Sequence, residues 1–377
     1  MHQGKTVRAM AKRLYRFVWS DRFSHRDLLK GLYGIAQVAV ADYAPARLVV
    51  ALDPVNFEKP YTRELEAVCT VMKSTPPGSR GEKRLTPGYP AMTATVVNLP
   101  EPVLTYANWF SYQSAEFVSE SREIYRAIHT TRALFPRAHL RFVADAGLDD
   151  QKIFAWIGRV SAEFVIRAYS NRSVEVYNDR LDRWEKELLD DLTATVPLSL
   201  NLQVVFTHAR QVRSVQVALG WLMIRLPETQ QVVWALVAHC PDFRHDLILL
   251  TNVPIRTPQD AEVVYSEWRY RPQIEHSYRF DQEAGLDVED VRVQTLERMR
   301  RVFALTLLAA LFVYHVDQTW PDNMVLWLRR LGGKLGVSSD RDGPYVLLAG
   351  IRAVLVTTAT LAFCTQHPFP RATETCG

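Results

Sequence analysis

Two short apolar runs that each stop at an aspartate constrain this chain more than any other feature. Leu48-Val49-Val50-Ala51-Leu52 runs into Asp53, and Leu140-Arg141-Phe142-Val143-Ala144 runs into Asp145. Short runs of this kind, rich in β-branched and aromatic residues, predict buried strands. A carboxylate at the end of a buried strand has its backbone fixed by the sheet and its side chain left to hold a metal ion. A third acid, Glu275, lies in the helix-like stretch Trp268-Arg269-Tyr270-Arg271-Pro272-Gln273-Ile274-Glu275. Three such carboxylates suffice to hold two hard cations for phosphodiester chemistry.

The chain has 377 residues, which favours two domains or one large domain with an insertion. With 48% hydrophobic and 23% charged residues it has the composition of a soluble globular protein with a sizeable core. The net charge of +4 permits nucleic-acid binding without arguing for it. Its placement says more, because residues 1–45 carry eight Lys/Arg against three Asp. The four cysteines, Cys69, Cys240, Cys364 and Cys376, form no C-x-x-C pair, so they read as scattered buried thiols in a reducing compartment. The first residues are basic and amphipathic, unlike a signal peptide. Residues 302–316 are too short a run for a membrane span, and 345–364 has the length but carries Arg352 and several Thr. Both are expected to be buried helices, in a protein with no membrane partner.

Along the chain, residues 5–40 are expected to be helical, with Val7, Met10, Ala11, Leu14, Phe17 and Val18 at helical spacing. The basic residues opposite them are either a solvated face or a DNA-facing one. Strands follow at 48–52, 91–98 and 103–110, with a Gly-, Pro- and Lys/Arg-rich loop at 74–89. A helix at 119–134, the strand at 140–144 and a helix at 149–160 complete this part. From 164 to about 253 short β-branched and aromatic runs predict a β-rich insertion, with 247–251 as a core strand. Thr257-Pro258-Gln259-Asp260 is a helix start, with a capping Thr, Pro in the first turn and an acid after it. The segment from Val288 on reads as mainly helical.

The chemistry gathers at 265–282. Trp268, Arg271, Glu275, Arg279 and Gln282 are spaced by three, four, four and three residues, so one helix would carry all five on one face. Pro272 should kink that helix or start a new one. A carboxylate with arginines one turn away on either side can bind a cation while the arginines grip phosphates beside it. Taken alone, the segment is equally an ordinary surface of ion pairs. Order adds weight: the first aspartate precedes the second by 92 residues, and the glutamate follows 130 later, on a helix beyond another core strand.

This order of strand-Asp, strand-Asp and helix-Glu resembles the DDE transposases of bacterial insertion sequences, specifically the insertion-sequence-four type. Their signature is Y-x2-R-x3-E-x6-K. Here Arg271-x3-Glu275 fits, Trp268 stands where Tyr is usual, and Gln282 where Lys is usual. Other similar phrases are Lys59-Pro60-Tyr61-Thr62-Arg63, Ser74-Thr75-Pro76-Pro77-Gly78, Ala144-Asp145-Ala146-Gly147-Leu148-Asp149, Leu250-Thr251-Asn252 and Asp342-Gly343-Pro344-Tyr345. The resemblance spans roughly residues 45–365.

It implies an α/β fold: a ribonuclease H-like mixed sheet with flanking helices, interrupted by the β-rich insertion, with a helical N-terminal segment and a helical C-terminal region. The implied divisions are a basic segment at 1–45, catalytic core at 46–163 and 246–316, insertion at 164–245 and C-terminal region at 317–377. It implies DNA transposition, in which the enzyme cuts at the element's ends and transfers a strand into target DNA. Asp53, Asp145 and Glu275 would be both catalytic residues and ligands of two Mg²⁺ ions, with Mn²⁺ as a substitute. Trp268, Arg271, Arg279 and Gln282 would contact DNA. The implied partners are the terminal inverted repeats, target DNA and a second copy of the chain, at the nucleoid in the cytoplasm. Trp221 or Trp234 could hold a flipped base, although a core role suits each.

Two other function classes stay open on sequence: a decayed transposase that only binds DNA, and a metal-dependent nuclease of the same fold without strand transfer. Asp149 and Asp150 compete with Asp145, but sit where a helix N-cap is expected. His239, Cys240 and His245 lack zinc-site spacing. Leu331-Gly332-Gly333-Lys334-Leu335-Gly336 lacks the pattern of a phosphate loop and reads as a turn. Arg298, Arg300 and Arg301 read as phosphate contacts or as a solvated helix end.

Overall fold

The computed structural model describes residues 12–13, 16–20, 22–59, 64–72, 85–208, 211–274, 293–333 and 343–366. The chain divides into two compact units, one made of Met1–Gly31, Glu58–Val68 and Ser277–Gly377, the other of Leu32–Phe57 and Cys69–His276.

The second unit is α/β, built on one mixed sheet. Its strands are β1 (Leu48–Glu58), β2 (Cys69–Met72), β3 (Leu85–Val96), β4 (Val103–Trp109), β5 (Leu140–Ala144), β6 (Glu163–Arg167), β7 (Ser173–Asn178), β8 (Arg183–Leu188), β9 (Leu200–His208), β10 (Gln211–Arg225), β11 (Val232–His239) and β12 (Leu247–Thr251). They run in the order β2-β3-β1-β5-β6-β12-β11-β10-β7-β8, with β4 on β3 and β9 on β10. β1, β5 and β6 are parallel neighbours. β12 joins β6 antiparallel, and β11, β10 and β9 continue antiparallel.

The helices of the described chain are α1 (His25–Tyr43), α2 (Glu120–Leu134), α3 (Gln151–Arg159), α4 (Leu189–Thr193), α5 (Pro258–Trp268), α6 (Leu296–Thr319), α7 (Asp322–Gly332) and α8 (Pro344–Gln366). All five residues of β5 are buried, which requires cover on both faces. On one face Leu48, Val50, Leu52, Leu140, Phe142, Ala144, Phe164 and Ile166 pack with Ile124 and Ile128 of α2 and Phe154 and Ile157 of α3. Period-2 alternation sends Val49, Ala51 and Asp53, Arg141, Val143 and Asp145, and Val165 and Arg167 to the other face. That second face is covered by α5, which packs on β5, β6, β10 and β11.

Local chemistry sets these helices. Ser119 accepts from the Arg122 amide at the start of α2, and Asp150 from the Lys152 amide at the start of α3. Thr257 and Asp260 form a reciprocal capping box at α5, with Pro258 in the first turn, as its sequence predicts. Asn252 bridges the sheet beyond β12: its Oδ1 accepts from the Phe164 amide at 2.9 Å and its Nδ2 donates to the Ala162 carbonyl at 3.1 Å.

The structure corrects several expectations. β1 continues through Asp53 and Pro54 to Glu58, so Asp53 lies within the strand and not at its end. The loop expected at 74–89 gives way to β3 from Leu85; residues 74–84 lie outside the described residues. β2, β7 and β8 were not foreseen; β2 has only four residues, and the outermost strand β8, Arg-Trp-Glu-Lys-Glu-Leu, is too polar for apolar periodicity to reveal. The run 165–169, expected in the β-rich insertion, overlaps β6 (Glu163–Arg167), which pairs in parallel with β5 and so belongs with the core strands. The β-rich stretch after it extends the same sheet without forming a separate one. The single helix expected over 5–40 is interrupted: residues 16–19 are helical, a turn follows, and α1 begins at His25. Val7, Met10, Ala11 and Leu14 lie outside the described residues.

In the first unit, α6 and α7 carry a small apolar core with α8, around Val313, Val316, Val325, Leu328 and Leu347. Arg300 and Arg301, read from sequence as phosphate contacts or as a solvated helix end, are buried. Arg301 donates to the Val18 carbonyl at 3.0 Å and pairs with Glu297, while Arg298 stacks over Trp19. The expectation that residues 345–364 are a buried helix fails, because Leu355, Val356 and Leu361 of α8 are each more than half exposed. By length and composition, Leu296–Thr319 and Pro344–Ala362 are each long and apolar enough to cross a membrane.

Candidate active site

The site is built where β5 and β6 end beside the middle of β1. β1 and β5 pair with Ala51 beside Val143, and carrying that register on by two residues sets Asp53 beside Asp145. β5 and β6 pair with Ala144 beside Ile166, which by one more step sets Asp145 beside Arg167. The shared register and the alternation of side chains set Asp53, Asp145 and Arg167 in one row on the α5-covered face. Clefts beyond the carboxyl ends of strands are the usual ligand sites of open α/β sheets.

One guanidinium joins the two aspartates. Arg271 Nη2 donates to Asp53 Oδ1 at 3.1 Å and lies 3.9 Å from Asp145 Oδ2. The Asp53 and Arg271 side chains are each 12% exposed, while that of Asp145 is 41% exposed. On its open side Asp145 Oδ1 lies 3.6 Å from Arg167. Arg167 was missed on sequence, and its signal was weak: a lone basic residue after Phe164-Val165-Ile166, visible only once β6 is paired beside β5.

The segment after α5 sets Arg271 in position. α5 ends at Trp268, and Pro272 opens the next helical turn, so of the two expected outcomes, a kink or a new helix, Pro272 gives the second. The ties before that break come one residue after another. Glu267 pairs with Arg47 at 2.9 Å and with the buried Arg141 of β5. Trp268 Nε1 donates to the Ala144 carbonyl at 3.2 Å, next to Asp145. Arg269 donates to the Val205 carbonyl of β9 at 2.8 Å. Arg141 and Arg47 also share Glu163 of β6, at 2.8 and 3.3 Å. This four-charge network locks the end of α5 onto β5 and β6, and Arg271 inherits its register from it.

Of the sequence-derived site residues, the structure thus brings together Asp53, Asp145, Arg271 and Trp268. Glu275, Arg279 and Gln282 lie outside the described residues. Asp149 and Asp150 are engaged elsewhere. The Asp149 side chain is shielded from solvent, accepts from the Tyr169 amide at 3.0 Å and pairs with Arg172; burial raises its carboxyl above the usual range despite that arginine. Asp150 caps α3.

Beside the aspartates a cleft of about 540 Å³ opens, lined by Arg167, Phe243, His245, Tyr265, Trp268 and Arg269 among others. Val217 and Ala238 also line it. The β10–β11 register puts Trp221 and Trp234 on the same sheet face as those two residues. Both tryptophans are half-buried.

Hard divalent cations take oxygen ligands, and two carboxylates that already converge on one positive group are a donor set suited to them. Among the described residues, no group of three His, Cys, Asp or Glu side chains is assembled, and the third carboxylate of the expected set, Glu275, is not among those residues. No known protein-family model matches this chain, and no curated protein is similar to it.

Proposed function

We propose that this chain is a DNA transposase with a ribonuclease H-like core, cutting at the ends of a mobile element and joining them to target DNA. The observation that carries the reading is the meeting of Asp53 and Asp145, distant in sequence, on adjacent parallel strands around a single cation. The sheet supports it as well: β4, β3, β1, β5 and β6 stand side by side, the last three parallel, in keeping with the mixed sheet that the family resemblance implies.

Asp53 and Asp145, with Glu275, would hold two Mg²⁺ ions, which when bound supply an activated attacking oxygen and charge stabilisation of the leaving one. The chain's own groups do the rest. Arg167, half-exposed at the mouth, offers a planar fork of donors to a phosphate drawn towards Asp145. Arg271 offers a second guanidinium from the inner side. Trp268, bonded to the Ala144 main chain, holds the floor of the cleft rigid and presents a flat apolar surface to nucleic acid. Acting on two ends requires two copies of the chain, and the DNA partner would locate the protein to the nucleoid.

The test is a divalent-dependent nicking and joining assay on DNA from the borders of the coding region. The purified protein should nick that DNA in Mg²⁺ or Mn²⁺ and join a pre-cleaved 3′ end to a target plasmid. Nicking without joining would replace transposition with simple nuclease activity. Binding without nicking would leave a DNA-binding protein only.

A further inference from the structure

We infer that Arg271 is a resident counter-cation of the Asp53–Asp145 pair, which an incoming divalent ion must displace. The inference rests on the metal-dependent reading above. Two carboxylates on neighbouring strand positions repel each other unless positive charge stands between them. Arg271 supplies that charge from within the chain, through a single nitrogen at 3.1 Å from Asp53 and 3.9 Å from Asp145. The pairing is sheltered, since the Asp53 and Arg271 side chains are each 12% exposed, so it is less screened than a surface ion pair.

The same nitrogen therefore faces the oxygens that an ion would take. A guanidinium and a divalent cation cannot both occupy the space between two carboxylates, so binding of the ion is an exchange. The backbone beneath Arg271 is suited to such an exchange. Trp268 and Arg269 are tied to the Ala144 and Val205 carbonyls, and Pro272 fixes the backbone just beyond. The main chain can stay in place while the long side chain swings. A phosphodiester at the mouth is the natural acceptor for the released guanidinium. Cation binding and DNA binding then help one another, because each removes what opposes the other.

The experiment is Mn²⁺ titration of the full chain without DNA, followed by calorimetry and by the spin-resonance signal of free Mn²⁺. Arg271→Gln, checked for native circular dichroism, should bind Mn²⁺ roughly tenfold more tightly than the wild type, the scale of one lost charge-assisted hydrogen bond. Arg271→Lys, which keeps the charge, should stay near the wild-type affinity. A short duplex should raise the Mn²⁺ affinity of the wild type and leave that of Arg271→Gln unchanged. Unchanged or weaker Mn²⁺ binding in a folded Arg271→Gln overturns the inference; if the wild type still nicks DNA, the transposase reading survives it. If neither form binds Mn²⁺ and the wild type does not nick, both fall.

Discussion

The Arg271 guanidinium lies 3.1 Å from the Asp53 carboxylate, across 218 residues of sequence. Asp53 is delivered by β1 and Arg271 by the turn after α5. The two arrive together because β1 and α5 are both anchored to β5: β1 through strand pairing, α5 through Glu267, Trp268 and their partners. The consequences of that arrangement can be measured.

Asp53→Asn and Asp145→Asn should each lower Mg²⁺-dependent nicking by about a thousandfold or more while leaving the circular dichroism spectrum intact. The amide keeps the shape of the side chain and removes the charge that a hard cation needs. Wild-type nicking rates in either variant would remove that residue from the site.

Glu267→Gln should destabilise the α/β unit by about 3 kcal/mol, the low end for breaking a buried pair, because Arg141 keeps Glu163. Urea denaturation should give a lower midpoint at unchanged slope. A midpoint equal to that of the wild type would mean that the network does not hold α5.

Glycine replacements should act in opposite directions at two helices. A Cβ on Gly350 of α8 would overlap the Leu328 carbonyl of α7, and one on Gly332 of α7 would overlap the Val346 carbonyl of α8. Gly350→Ala should therefore cost about 3 kcal/mol. At Gly31, exposed within α1, a Cβ meets only open space, and Gly31→Ala should stabilise by about 1 kcal/mol through helix propensity. Thermal unfolding reads both, and equal signs would contradict the packing.

The capping box of α5 predicts a pH effect. The Thr257 hydroxyl, followed by the Arg256 and Thr257 amides, bonds the Asp260 carboxylate and holds its pKa below the ordinary 3.8. A depressed acid contributes stability above its unfolded value and loses it as pH falls through the folded one. The melting-temperature gap between wild type and Asp260→Ala should be widest near pH 6 and shrink below 3.8. A gap of constant size down to pH 2 would show that the charged form plays no part.

Much of this architecture was legible in the chain because its signals are local. The strands at 140–144 and 247–251 were bounded correctly, since each is a compact apolar run with polar residues after it. The start of α5 was legible because Thr257, Pro258 and Asp260 do their work within one turn. Edge strands and the exposed face of α8 were not, because burial depends on what packs alongside. Gly332 looked like a turn residue, yet it ends α7 and is required by the close approach of α8.

By itself the sequence determined that Asp145 directly follows its strand, and that Pro272 would interrupt a helix; both follow from backbone sterics and from apolar periodicity within a few residues. Only the tertiary structure decided that Asp53, Asp145, Arg167 and Arg271 meet at one face of the sheet. That outcome depends on which strands pair, in which register, and on a charge network whose members, Arg47, Arg141, Glu163 and Glu267, come from four separate stretches of the chain. Long-range pairing of this kind has its cause in the packing of the whole unit, and no window of residues contains it.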